Sequence, residues 1–209
     1  GGQTLGKGKI YDSNRVTISM RLLDFGCEIV SSKIMSDEVH YVSEEIHNLI
    51  DKVDVIITTG GVSVGKKDIM HEVIKTINAN RLFWRVKMKP GTPAIYSIYK
   101  NKPIISLSGN PFAAIATFEI MGKELIYKLT GDIDLKQIRV KSIMEDDFLK
   151  PSKGRRIVRG IYRNNKIYLP EGGHSPGMMS SMIGCNCLID IKPGTKHLLK
   201  GDEVDIILI

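Results

Sequence analysis

The stretch "VIITTGGVSVGKKDIM", residues 55–70, decides the fold. A short apolar run, Val55-Ile56-Ile57, stops at Thr58-Thr59-Gly60-Gly61, and Met70, Val73, Ile74 and Ile77 follow at helical spacing. That pattern predicts a buried strand, a loop and a helix. The loop is richer than a turn requires. It holds Gly60, Gly61 and Gly65, hydroxyls at Thr58, Thr59 and Ser63, and Asp68 a few residues on. Glycine lets backbone amides approach a ligand with no Cβ in the way.

A second loop repeats the design. "PIISL" is a short buried strand, followed by Ser108-Gly109-Asn110-Pro111 and an apolar helix from 111 to about 128, closed by Thr130-Gly131. Asn110 suits the helix N-cap and Pro111 its first turn, leaving amides free to seat an anion. In a parallel α/β sheet both loops would lie at the carboxyl edge of the strands and line one crevice. The alternative for each is a tight strand-to-helix turn and nothing more.

Around these loops, residues 14–25 carry Val16, Met20 and Leu23 at helical spacing, with Asp12 or Ser13 as cap and Gly26 as stop. "CEIVSSKIM" reads as a strand and residues 43–53 as a helix. "RLFWRVKM" and "AIYSIYK" read as strands, with a turn at 101–102. Beyond residue 132 come short β-like runs: "IRVKSI", "RIVRGIY", "KIYL", "CLIDI" and "VDIILI". A short helix at 177–183 fits among them. The expected architecture is α/β, a three-layer α/β/α mostly parallel sheet over 1–135, followed by a small all-β, barrel-like domain over 136–209.

Charge adds candidates. Alternation along a strand puts Arg85, Lys87 and Lys89 on one side, either as a solvated face or facing an anion. Asp12 and Asp68 each open a helix and can serve its dipole. If both point into the crevice they can hold Mg²⁺ against a phosphate.

The whole composition narrows the class. A hydrophobic content of 42% with 25% charged residues is that of a globular chain. The net charge of +7 comes from 30 basic and 23 acidic residues spread along the sequence, and aromatics are only 6%, with no basic-aromatic cluster. That disfavours nucleic acid and suits an anionic small molecule. Cys27, Cys185 and Cys187 are too few for a structural zinc site and odd in number, so idle thiols in a reducing cytosol are expected. No apolar run of ~18 residues suggests a membrane span. The start, "GGQTLGKGKI", reads as a fragment of a longer chain.

"GKIYDSN", "DVIITTGGVSVGKKD", "MKPGTP" and "SLSGNP", in order over about 5–205, resemble the molybdopterin molybdenumtransferase family, related to the C-terminal region of gephyrin. "GRRIVRG" and "GGHSPGMMSSM" resemble segments of that family's C-terminal β domain. The resemblance implies insertion of molybdate into adenylylated molybdopterin with release of AMP, in a cytoplasmic homodimer. It implies Mg²⁺ on Asp12 and Asp68, and molybdate attracted by Arg85, Lys89 and Arg155 or Arg156. The pterin would lie across Gly60, Gly61, Ser63, Gly65, Pro90, Gly91, Ser108, Gly109, Asn110 and Pro111. Ser175 stands in His174-Ser175-Pro176 where the family tends to have Q-x-S. A T-G-D/N-E-L strand and two N-terminal domains of the family are not in this sequence. The related molybdopterin adenylyltransferase and a gephyrin-type binding scaffold are the alternative functions.

Overall fold

The computed structural model describes residues 6, 11–63, 68–172, 177 and 179–209. Along the chain run α1 (Ser13–Asp24), α2 (Val39–Leu49), β1 (Ile56–Thr59), α3 (Met70–Thr76), β2 (Asn80–Trp84) and β3 (Met88–Lys89). Next come β4 (Ile95–Tyr99), β5 (Lys102–Leu107), α4 (Pro111–Thr117) and α5 (Lys123–Thr130). The chain ends with β6 (Arg139–Met144), β7 (Arg155–Arg163), β8 (Lys166–Tyr168), β9 (Cys187–Ile191) and β10 (Glu203–Leu208).

The first sheet has the order β1-β5-β4-β2. It is mixed. β1 and β5, the two strands that feed the glycine loops, are parallel, while β4 pairs antiparallel with both β5 and β2. The β4–β5 hairpin turns at Lys100-Asn101, whose φ values of 47° and 62° match a type I′ turn, one residue earlier than the sequence suggested. Helices cover both faces. Ile105 and Leu107 of β5 pack with Ile18 of α1, Phe112 and Ile115 of α4 and Ile126 of α5. Ile104, next to Ile105 on the strand, faces the opposite way, with Val42 and Ile46 of α2 and Val73 and Ile74 of α3. Alternation along one strand thus fills two cores, as a three-layer α/β/α unit requires.

Three sequence expectations are corrected. Residues 27–35 form no strand; Val30 and Ile34 are exposed there, so their apolar side chains find no layer to pack on. "RLFWRVKM" is not one strand. Arg85 has φ 73°, a left-handed conformation that ends β2 at Trp84, and β3 leaves the sheet to pair parallel with β7. The turn at 180–182 is 3-10 rather than a longer helix. The long helix after Pro111 is continuous, but Phe118–Gly122 widens into a π-helical turn between α4 and α5.

The remaining strands close on themselves. β7 pairs with β9 on one edge and with β8 on the other, and β9-β10-β6-β8 completes the ring. Met144, Val158, Ile167, Ile189 and Ile206 fill this barrel. Residues facing the other way, Ile157, Leu188 and Ile207, join the cluster of Phe112 and Ile115, so the barrel docks on α4 through a shared apolar core. Each such fully buried side chain stabilises by about 1.5–3 kcal/mol, which fixes the two units against each other. Arg159, fully buried on β7, lays its guanidinium 4.1 Å over the Phe112 ring and donates to Ser181 Oγ at 2.5 Å. Among the described residues no helix is long and apolar enough to cross a membrane.

Candidate functional site

The two glycine loops meet. Because β1 and β5 are parallel, both loops leave the same edge of the sheet, and Gly60 N donates to Leu107 O at 2.9 Å. A Cβ built on Gly109 would lie 3.4 Å from Gly60 Cα. Gly60 and Gly61 have φ of 92° and 67°, which only glycine adopts without strain. A Cβ on Gly60 would meet nothing within 4 Å, so its bare face looks into open space. Ser63 is exposed beyond it.

The second loop partly satisfies itself. Asn110 Oδ1 accepts from Ala113 N at 3.3 Å, and Ser108 Oγ accepts from Asn110 N at 3.2 Å. Two amides that the sequence offered to an anion are therefore already used within the loop. Pro111 occupies the first helical position, as expected. A residue that the sequence reading passed over ties the site together. Asn14 of α1 is buried and donates from Nδ2 to Gly109 O at 2.9 Å. Its Oδ1 is buried with no partner among the described residues. The signal lies in "IYDSN", where Asn14 follows the cap Asp12 by two residues.

Asp12 caps α1. Its Oδ1 accepts from Arg15 N at 3.1 Å, and its Oδ2 lies 3.5 Å from Arg15 Nε. A carboxylate has about four acceptor positions, so this leaves capacity for a ligand. Asp68 lies just before α3, half-buried. Gly65 and Ser175 fall outside the described residues.

The cations divide. Arg85, Lys87 and Lys89 are exposed, with Trp84, Val86 and Met88 turned inward between them. The register of β3 on β7 pairs Met88 with Arg155 and Lys89 with Arg156. Arg155 is spent elsewhere: its guanidinium makes a double contact with the Asp190 carboxylate, which also takes Arg139 Nη1 at 3.1 Å. Burial alone would raise the Asp190 carboxyl, but the two arginines overcome it and hold the group below its ordinary range. Arg156 is the partner of Lys89, its Nε donating to Ser152 Oγ at 2.7 Å and its Nη2 to Pro151 O at 3.1 Å. Pro90 and Gly91 follow Lys89 along α4. Gly91 is buried with φ 96°, and a Cβ there would overlap Thr117 Oγ1. Its lack of a side chain serves packing against the helix.

Thiol chemistry finds no support. All three cysteines are free, and burial pushes each thiol up, Cys187 to about 12, away from the thiolate form that reacts. A depression of about 450 Å³ in the barrel, lined by Arg163, Tyr168, Pro170 and Ile183 among others, brings together no glycine loop or carboxylate pair. The crevice at the sheet edge is the better candidate on chemistry.

Residues 1–128 match the family described as the probable molybdopterin binding domain, and residues 141–209 match the MoeA C-terminal region, domain IV. A relative named molybdopterin molybdenumtransferase from Staphylococcus aureus is 30% identical over 204 residues, covering 96% of this chain and 49% of that protein. The chain therefore spans about half the length of the curated relatives it matches. Among solved structures, a molybdopterin biosynthesis MoeA protein from Pyrococcus horikosii superposes with a TM-score of 0.82 at 20% identity, over 99% of this chain and 50% of that one. A molybdenum cofactor biosynthesis protein from Pyrococcus furiosus gives 0.74 at 22% identity, over 95% and 65%. A match of this extent to the family model, with the fold and both glycine loops in place, means that the chain belongs to the molybdopterin-binding-domain family.

Proposed function

We propose that this chain is the catalytic half of a protein that inserts molybdate into adenylylated molybdopterin and releases AMP. The carrying observation is the register that sets Lys89 beside Arg156. Like charges held side by side repel, and an anion between them removes that cost. Molybdate is a small dianion that needs donors from several directions, and ammonium and guanidinium groups supply them. One cation comes from the layered unit and the other from the barrel, which gives the barrel a role at the site. That favours this reading over the related adenylyltransferase. Arg85 adds a third cation near the glycine loop.

The pterin and its phosphate lie where Gly60-Gly61 meets Gly109, with Ser63, Ser108, Asn110 and Pro111 at the rim. Gly65 and Ser175 belong to the same lining by sequence. We assign Mg²⁺ to the carboxylates of Asp12 and Asp68, because that ion is held by one or two carboxylates together with substrate phosphate and water. Among the described residues no cluster of three or more metal-ligating side chains occurs, so a site completed by substrate suits this donor set. The ion would draw charge from the phosphoanhydride that joins pterin phosphate to AMP. We place the boundary between the two domains at 135/136. The free cysteines suit the cytoplasm, and we expect a homodimer.

The test is Lys89→Gln and Arg156→Gln, singly and together, in the full-length protein. Each single change should raise the molybdate concentration needed for cofactor formation by about tenfold, a loss of ~1.4 kcal/mol. The double variant should fall short of the product, because both groups touch one anion. Additive or absent effects would put the oxyanion elsewhere.

A further inference from the structure

We propose that Trp84 is a positioning residue that sets two parts of the crevice at once, the glycine loop through its indole N–H and the Arg85 guanidinium through its ring. The inference rests on the reading of the crevice given above. Three successive residues of the glycine loop are each held by a different element. Gly60 N donates to Leu107 O of β5 at 2.9 Å, Gly61 O accepts from Met70 N of α3 at 2.9 Å, and Val62 O accepts from Trp84 Nε1 at 3.1 Å. Only the last of these holds is a side chain. Gly60 and Gly61 lie at positive φ, so the loop has little intrinsic preference for its path and depends on such ties.

The same indole carries Arg85. The Arg85 guanidinium lies 4.4 Å from the ring centroid, within range of a cation–π contact. Arg85 N donates to Ala94 O at 2.9 Å, so the backbone is anchored while the side chain is steered by the ring. His71 of α3 packs edge-on against Trp84, with centroids 4.6 Å apart at 85°, and its Nδ1 lies 3.1 Å from Arg81 Nη1. The indole is therefore buttressed. Packing alone explains an apolar residue at the end of β2, but not an N–H aimed at Val62 O together with a ring under a guanidinium. Leucine would fill much of the volume and make neither contact.

Two variants separate the contacts. Trp84→Phe keeps a ring for Arg85 and loses the N–H; Trp84→Leu loses both. The first readouts need no ligand. Amide hydrogen exchange at residues 60–63 should quicken by about fivefold in both variants, the scale of one lost hydrogen bond. The Arg85 Nε–H resonance, displaced by the ring current in the native protein, should stay displaced in Trp84→Phe and return to a random-coil position in Trp84→Leu. Calorimetric titration then follows: molybdopterin affinity should fall by about tenfold in both variants. The molybdate requirement of the full-length protein should rise only in Trp84→Leu. Unchanged exchange at 60–63, or an Arg85 resonance that ignores the ring, overturns the proposal. If the native protein binds neither molybdopterin nor molybdate, the functional reading fails, while exchange and resonance still decide the role of Trp84.

Discussion

The loops at Gly60-Gly61 and at Lys89-Pro90-Gly91 look alike in the sequence, each a glycine turn beside lysines, yet they use glycine for opposite ends. At Gly60 a Cβ would enter open space; at Gly91 it would collide with Thr117 of α4. The first glycine leaves open space beside the loop, and the second lets two parts of the chain touch. The same division separates two adjacent arginines. Arg155 is locked to Asp190 inside the barrel surface, while Arg156 stands beside Lys89. These neighbouring identical residues thus face different partners, and under the proposed function their substitutions should differ in kind.

The largest expected effect is on stability. Gly91→Ala meets a positive φ and the Thr117 overlap together, and should cost on the order of 3 kcal/mol in thermal or urea unfolding. Thr117→Ala removes the obstructing hydroxyl, so the double variant should regain part of the loss. Full additivity would mean the overlap is not what makes glycine necessary there. Next comes Asp190→Asn, which leaves Arg155 and Arg139 facing a neutral amide and should cost about 2 kcal/mol near pH 7. Because the folded carboxyl lies below its ordinary range, this stabilisation is complete above the unfolded value of about 4 and fades as the pH falls through the folded value. Urea melts of native and variant chains should converge in acid; a gap that widened there would reverse the assigned sign. Gly60→Ala should be milder, about 1–2 kcal/mol for the left-handed conformation alone, but should weaken molybdopterin binding in a calorimetric titration. An undiminished affinity would reduce that loop to a turn. Smallest is Arg156→Gln, which loses the bonds to Ser152 Oγ and Pro151 O and is expected to change the melting free energy by about 1 kcal/mol while still altering molybdate response.

Much of this was legible in the residues. Apolar runs before Gly60 and Ser108 gave the two parallel strands, and 3.6-residue spacing after each gave the helices, because local pattern and tertiary burial agree there. What escaped the sequence was contact between distant segments. The split of "RLFWRVKM" depends on Arg85 turning left-handed and on β3 finding β7 across the chain, which no local propensity encodes. "CEIVSSKIM" has a strand's composition, but Val30 and Ile34 stay exposed, and a strand exists only where a partner pairs with it. For the proposed site, glycines, carboxylates and cations could be nominated from motifs. Their division of labour could not, since Arg155 and Arg156 differ only in what faces them. Asn14 and Trp84 matter through bonds to Gly109 O and Val62 O, carbonyls that a sequence does not display.

The most direct test of the account is a crystal structure of the chain with molybdopterin and tungstate, whose anomalous scattering locates the oxyanion. The account predicts the pterin phosphate over Gly60-Gly61 and Gly109, with the oxyanion within hydrogen-bond distance of Lys89 Nζ and the Arg156 guanidinium. An oxyanion bound elsewhere, such as beside Arg163 in the barrel, with Lys89 and Arg156 untouched, would contradict it.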